Sequence, residues 1–392
     1  MSKIIGLELA FKTSNYGAQL QAFATQRAIE RLGFTTKIIQ LKNRGVISAR
    51  KLGRGFFYNL YLRRKNALIR KHTRIDVVDS LYQENRTARR NASEVFISCR
   101  LRGVTVYSTY EELVKDAKNM KAVLIGSDQK WTPGFCYSRI NSLDFAPKGV
   151  RRISYATSLG VADYPRYCRS LSGKMWKKID FLSVREQQGA KIIKDICGNI
   201  PVEVVVDPTY LFSRKEWEEY IPKMPMSDKP YIFCYFLGNN DESKSCAKRY
   251  AEQRGLRLIS IMSDESYSPY DQKFADEIIR GASPEEFVNW IRGASCVFTD
   301  SFHGTAFSVI NEKQFFVFYR VRPEARLNRN SRIDNILSLW HLEDRLIVDT
   351  NRDWSSVDVK PIDYSLVNVI IESERQHSLD FLTRALHFNE DK

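Results

Sequence analysis

The chain has 392 residues, 43% of them hydrophobic and 12% aromatic, which is ample for two cores and unlike a disordered composition. No apolar run reaches the length of a membrane-spanning helix, and the N-terminus turns polar too soon for a secretory leader, so a soluble cytoplasmic protein is expected. The net charge of +15 is concentrated: between Lys42 and Arg102 stand 16 Lys or Arg against four acids, which points to an anionic surface or partner rather than a uniform basic coat.

Residues 4–9 read as a buried strand. The polar turn Thr13-Ser14-Asn15-Tyr16-Gly17 leads into a helix ended by Gly33, and Thr35 to Leu41 is a second strand. Strand, helix, strand is a βαβ unit, so a parallel sheet is predicted. The segment 42–104 interrupts it as a basic insert with helical character, carrying Phe56, Phe57, Leu60 and Tyr61 beside Arg63-Arg64-Lys65. Strands resume at 122–125, 153–156, 181–184 and 202–206. A second α/β set follows: strands at 231–237, 256–262, 296–299 and 315–319, and helices at 241–254, 284–292 and 304–311. The prolines at 222, 225 and 230 mark the junction. The expected fold class is α/β, with two Rossmann-like domains facing across a cleft. An N-terminal domain at 1–208 carries the insert, a C-terminal domain spans 209–363, and a helical tail at 364–392 packs back on the N-terminal domain.

Ligands of open parallel sheets sit beyond the carboxyl ends of the strands, and every conspicuous polar motif falls there. In Asp300-Ser301-Phe302-His303-Gly304-Thr305, Ser301 can cap a helix whose first-turn amides favour an anion, Gly304 allows close approach, and His303 can carry a proton. Asn15-Tyr16-Gly17 opens the first helix in the same way, although the dinucleotide fingerprint is missing. In Gly126-Ser127-Asp128-Gln129-Lys130-Trp131, Asp128 can bind sugar hydroxyls or act as a base. Trp131 can stack on a sugar face or lie in the core. Arg185 can fork onto a carboxylate or phosphate, or merely pair with a neighbouring glutamate. Asp207-Pro208-Thr209 closes a strand run and reads as a turn of the chain. Arg320, Arg322 and Arg332 can neutralise phosphate or remain solvated. The seven cysteines lack CxxC spacing, and no cluster has metal-ligand spacing, so neither metal nor cofactor is expected.

These motifs, with Ser154-Tyr155-Ala156-Thr157-Ser158-Leu159-Gly160 and Ser183-Val184-Arg185-Glu186 between them, resemble the polysaccharide pyruvyl transferase family along most of the chain. The resemblance implies a GT-B-like fold. It also implies transfer of the enolpyruvyl group of phosphoenolpyruvate onto hydroxyls of a polysaccharide or lipid-linked oligosaccharide, forming a pyruvate ketal and releasing phosphate. Arg185 and His303 match the family's donor-site Arg and His, with Asp128 as the candidate base. Asn15, Tyr16, Gly17, Ser127, Gln129, Trp131, Ser301, Gly304, Thr305, Arg320 and Arg322 are the expected substrate contacts. Lipid-carried acceptors would bring the enzyme to the inner membrane face, where the basic insert could seat on anionic lipid; the insert could equally pack on the protein through its aromatics. The rival enzyme reading is a GT-B glycosyltransferase using a nucleotide sugar. A nucleic-acid partner is not expected, since RRM, KH and zinc-finger signatures are missing.

Overall fold

The computed structural model describes residues 3–42, 80–133, 138–320, 330–354 and 360–387. Among them, β1 (Ile4–Glu8), β2 (Thr35–Leu41), β3 (Val104–Tyr107), β4 (Ala122–Ile125), β5 (Arg151–Thr157), β6 (Phe181–Val184) and β7 (Glu203–Val204) make one sheet. A second holds β8 (Tyr231–Tyr235), β9 (Arg257–Ile261), β10 (Glu277–Ile279), β11 (Cys296–Thr299), β12 (Gln314–Phe318) and β13 (Leu346–Ile347). All pairings between these strands are parallel. The central strands are buried along their whole length, as in Ala122–Ile125 and Cys296–Thr299, because helices cover both faces of each sheet.

The strand orders are β3-β2-β1-β4-β5-β6-β7 and β10-β9-β8-β11-β12-β13. Each reverses direction once, between β1 and β4 and between β8 and β11, so each half has a switch point of the Rossmann kind. The expected pair of Rossmann-like halves is therefore present. Short edge strands were missed by the sequence reading: β3, β10 and β13 have two to four residues and too little pattern to announce themselves. The expected strand 202–206 shrinks to Glu203–Val204, and beyond it the Val206 N–H donates to Ser378 Oγ at 3.0 Å.

That serine belongs to the last helix, Tyr364–His387, which packs back on the N-terminal sheet as expected. Arg384 Nη2 meets Glu203 Oε2 at 2.7 Å, and Arg151 Nη1 donates to the Ala385 carbonyl at 3.0 Å. No helix among the described residues is long and apolar enough to cross a membrane.

The insert splits in two. Residues 43–79, including the aromatic and Arg63-Arg64-Lys65 segment, lie outside the described residues. The remainder forms the helix Ser80–Arg100, which touches both halves. Arg89, with no exposed surface, is its anchor. Its Nε donates to the Ser14 carbonyl at 2.9 Å, Nη1 to the Met262 carbonyl and Nη2 to the Tyr235 hydroxyl, both at 3.2 Å. The guanidinium also lies 3.9 Å from the centre of the Tyr16 ring and 3.4 Å from Asp264. This helix clasps the two halves together.

Candidate active site

Two helices begin at the seam. Tyr16–Arg31 follows β1, and the Asn15 side chain caps it by accepting from the Ala18 N–H at 3.1 Å. Phe302–Ile310 follows β11, and Ser301 Oγ caps it from the Gly304 N–H at 3.3 Å. They meet at Gly17 and His303: a Cβ built on Gly17 would stand 2.0 Å from His303 Nδ1. Only glycine lets the imidazole lie there.

Behind His303 is Asp207, buried three residues beyond β7 at the start of a short 3₁₀ turn. Its Oδ2 accepts from Arg185 Nη1 at 2.7 Å and Ser127 Oγ at 2.8 Å, and stands 3.7 Å from His303 Nε2. Its Oδ1 accepts from the Thr209 N–H and hydroxyl at 3.1 and 2.9 Å. Burial alone would raise the carboxyl's pKa, but the imidazole, the Arg185 guanidinium and the Ser127 hydroxyl together hold it well below the usual carboxylate range. One carboxylate thus joins residues from three strand ends of one half to a histidine of the other. The His303 Nε2 is buried and has no hydrogen-bond partner.

A cavity of about 320 Å³ opens in front of His303, between the two halves. Asn15, Asp128, Gln129, Ser301, Arg320 and Arg332 all line it. Arg332 is the unusual group. Burial first, then the charges of Arg185 and Arg320, pull its pKa down to about 9, while Asp128 and Glu186 act against this. Such a cation lacks sufficient counter-charge and favours an anion beside it. Gln129, with its amide oxygen turned toward Arg332, accepts from that guanidinium at 3.1 Å, and Gly160, at a φ of 63°, lies against the Gln129 amide. Asp128 has a φ of 77°, rare for a residue with a side chain; its carbonyl accepts from Lys130 and Ser158 amides at 2.8 and 2.9 Å, which fixes the turn.

The family model for polysaccharide pyruvyl transferases matches residues 15–320, a span holding His303, Asp207, Arg185 and Asp128. The chain belongs to the polysaccharide pyruvyl transferase family. This pyruvyl transferase is an enzyme by that membership, and the family implies a polysaccharide acceptor. No curated protein matches the chain significantly in sequence. Among solved structures it is similar to a putative UDP-N-acetylglucosamine 2-epimerase from Listeria monocytogenes, at 14% identity and TM-score 0.47, covering 95% of this chain and 96% of that one. It is also similar to S. aureus MnaA in a UDP co-structure (11%, TM-score 0.47, coverage 98% and 91%). A third likeness is to the E. coli heptosyltransferase WaaC with ADP (12%, TM-score 0.40, coverage 95% and 99%).

Several expected substrate contacts of this pyruvyl transferase have other tasks. Trp131 is fully buried, packs edge-on against Trp176 and donates to the Asn141 carbonyl, so it belongs to the core. Tyr16 is buried too: it stacks on Phe287 at 4.8 Å and donates to the Ala282 carbonyl, joining the halves. Thr305 is buried and donates to the Ser301 carbonyl. The close approach at Gly304 is to Thr299 of the preceding strand. Ser127 serves Asp207 and Arg185.

Arg185 needs the largest revision. Its side chain is 1% exposed, its Nε meets Glu186 at 3.2 Å, its Nη1 meets Asp207, and it stacks 4.3 Å from the centre of the Phe302 ring. Phe302 lines the cavity and Arg185 does not. The pairing with a neighbouring carboxylate, weighed in the sequence as the alternative, is what the geometry has. Arg322 lies outside the described residues. Asp207 was read as a turn, and its role escaped sequence reasoning because its partners come from positions 127, 185 and 303.

Proposed function

We propose that the cavity binds phosphoenolpyruvate and that the enzyme builds a pyruvate ketal on a glycan. The observation that carries this reading is Arg332, an under-compensated guanidinium beside Arg320 and opposite His303, in a pocket sized for a small polyanion. Arg320 and Arg332 hold the donor's phosphate and carboxylate. His303 delivers a proton to the methylene carbon, which becomes the methyl group, and the central carbon turns electrophilic. One sugar hydroxyl, relieved of its proton by Asp128, adds there. A second hydroxyl of the same sugar displaces phosphate and closes the ring, its proton leaving with the phosphate. Arg185 works indirectly, by fixing Asp207, which holds the imidazole.

General acid catalysis contributes on the order of 10²–10⁴-fold, so His303→Ala should lose at least about a hundredfold in kcat with its melting temperature kept. The test incubates enzyme, phosphoenolpyruvate and a candidate glycan and looks by mass spectrometry for the pyruvyl mass, with phosphate release in parallel. Near-normal turnover by His303→Ala ends the assignment. Stabilisation by nucleotide sugars but not by phosphoenolpyruvate would hand the site to the glycosyltransferase reading.

A further inference from the structure

A second, larger cavity of about 640 Å³ adjoins the first and shares Ala10, Thr13, Asp128 and Gln129 with it. Its walls belong to the N-terminal half alone, from the end of β2 and the segments that follow β1, β2 and β4. This is the switch point of that sheet, where the fold leaves room for a ligand. Two buried polar side chains line it. Lys130, 6% exposed, reaches Glu8 Oε1 at 2.6 Å, so its charge is met within the protein. Asn141, 3% exposed, donates through Nδ2 to the Lys130 carbonyl at 3.0 Å, and its Oδ1 is buried with no partner. An unmade hydrogen bond of that kind costs about 1–3 kcal/mol; the Oδ1 atom is itself closed to solvent, so a ligand hydroxyl meets it once the Asn141 side chain turns toward the cavity.

The lining is also uneven in charge. Lys12 and Lys42 line it and are exposed, and neither makes an ion pair among the described residues. Asp128 is the single carboxylate among the lining residues, and it stands where the two cavities join. The cavity thus offers a polar wall at Asn141, two ammonium groups with no ion-pair partner among the described residues, and a carboxylate shared with the first cavity.

We infer that this cavity is the acceptor subsite and that it takes an anionic glycan unit. The reacting sugar lies between Asn141 and Asp128, and a phosphate or carboxylate substituent on that sugar or its neighbour is held by Lys12 and Lys42. The word acceptor rests on the pyruvyl-transfer reading; the binding preference does not.

Binding therefore tests it without turnover. The full-length enzyme is titrated calorimetrically with mannose 1-phosphate, glucuronic acid and methyl mannoside, and separately with phosphoenolpyruvate. One or both anionic probes should bind at least about tenfold more tightly than the neutral one, and the tighter of the two tells phosphate from carboxylate. Lys12→Ala/Lys42→Ala should remove that advantage while phosphoenolpyruvate affinity stays within about twofold. Asn141→Leu should weaken all three sugar probes. Equal binding of neutral and anionic probes, no binding of any, or a lysine variant that weakens phosphoenolpyruvate instead would overturn the proposal. Failure of phosphoenolpyruvate alone to bind, with the sugar preferences intact, would strike the donor reading and leave this subsite standing.

Discussion

Asp207 accepts four hydrogen bonds and faces His303 without contact with solvent, so its partners depend on its charge as much as it depends on theirs. Breaking a buried ion pair from one side strands the other charge, at about 3–5 kcal/mol. Arg185→Met and Asp207→Asn should each destabilise by about that amount, and the double variant by less than their sum, a coupling that a double-mutant cycle of denaturation midpoints reads directly. The acid limb gives a second readout. A carboxyl held low in the folded state stabilises above its unfolded pKa of about 3.9 and loses that contribution as pH falls below it. The stability gap between wild type and Asp207→Asn should therefore narrow below about pH 4; a gap constant with pH would contradict the charged assignment. The sequence shows Asp207 closing a strand, and nothing local distinguishes such a residue from a turn former. Arg332 is one of three arginines that the sequence offers for neutralising phosphate, and nothing there singles it out, because a deficit of counter-charge exists only once Arg185 and Arg320 stand near it.

The element that aims His303 is the paired start of two helices, Tyr16–Arg31 and Phe302–Ile310. Their caps were legible, since Asn15 and Ser301 precede apolar helical runs and both cap as expected. Their contact was not. Gly17 looked like a ligand loop, yet its lack of a side chain makes space for the His303 ring. Gly17→Ala puts a methyl group against Nδ1 and should cost about 1–3 kcal/mol in stability by overpacking. The imidazole would be displaced with it, so turnover should fall by more than tenfold even at temperatures where the variant is fully folded. Unchanged turnover there would mean that the imidazole's placement is not critical. Buried strands such as Ala122–Ile125 and Cys296–Thr299 were read residue for residue, because an apolar run between turn signals survives any context. The edge strands β3, β10 and β13 gave no such signal.

At the scale of the whole molecule, the two sheets were readable from the α/β rhythm, whereas the clasp between them was not. Arg89 sits in a basic stretch that the sequence offers to an anionic surface or partner, yet among the described residues it is the most buried arginine, and its hydrogen bonds reach Ser14, Tyr235 and Met262. Arg89→Met removes these bonds and leaves Asp264 with less counter-charge. The two halves should then lose cooperativity, and calorimetry should resolve two unfolding transitions where the wild type shows one. A single transition at an unchanged temperature would show that the aromatic seam of Tyr16, Phe287 and Tyr235 suffices.

The closing helix has a consequence for biosynthesis. Val206 waits for Ser378, 172 residues further along, and Glu203 waits for Arg384. At about 5–20 residues per second, a ribosome needs roughly 10–35 s to supply that stretch. Through that interval the nascent N-terminal sheet stands with the face around Val206 and Tyr155 uncovered, and chaperones have their longest opening to hold it.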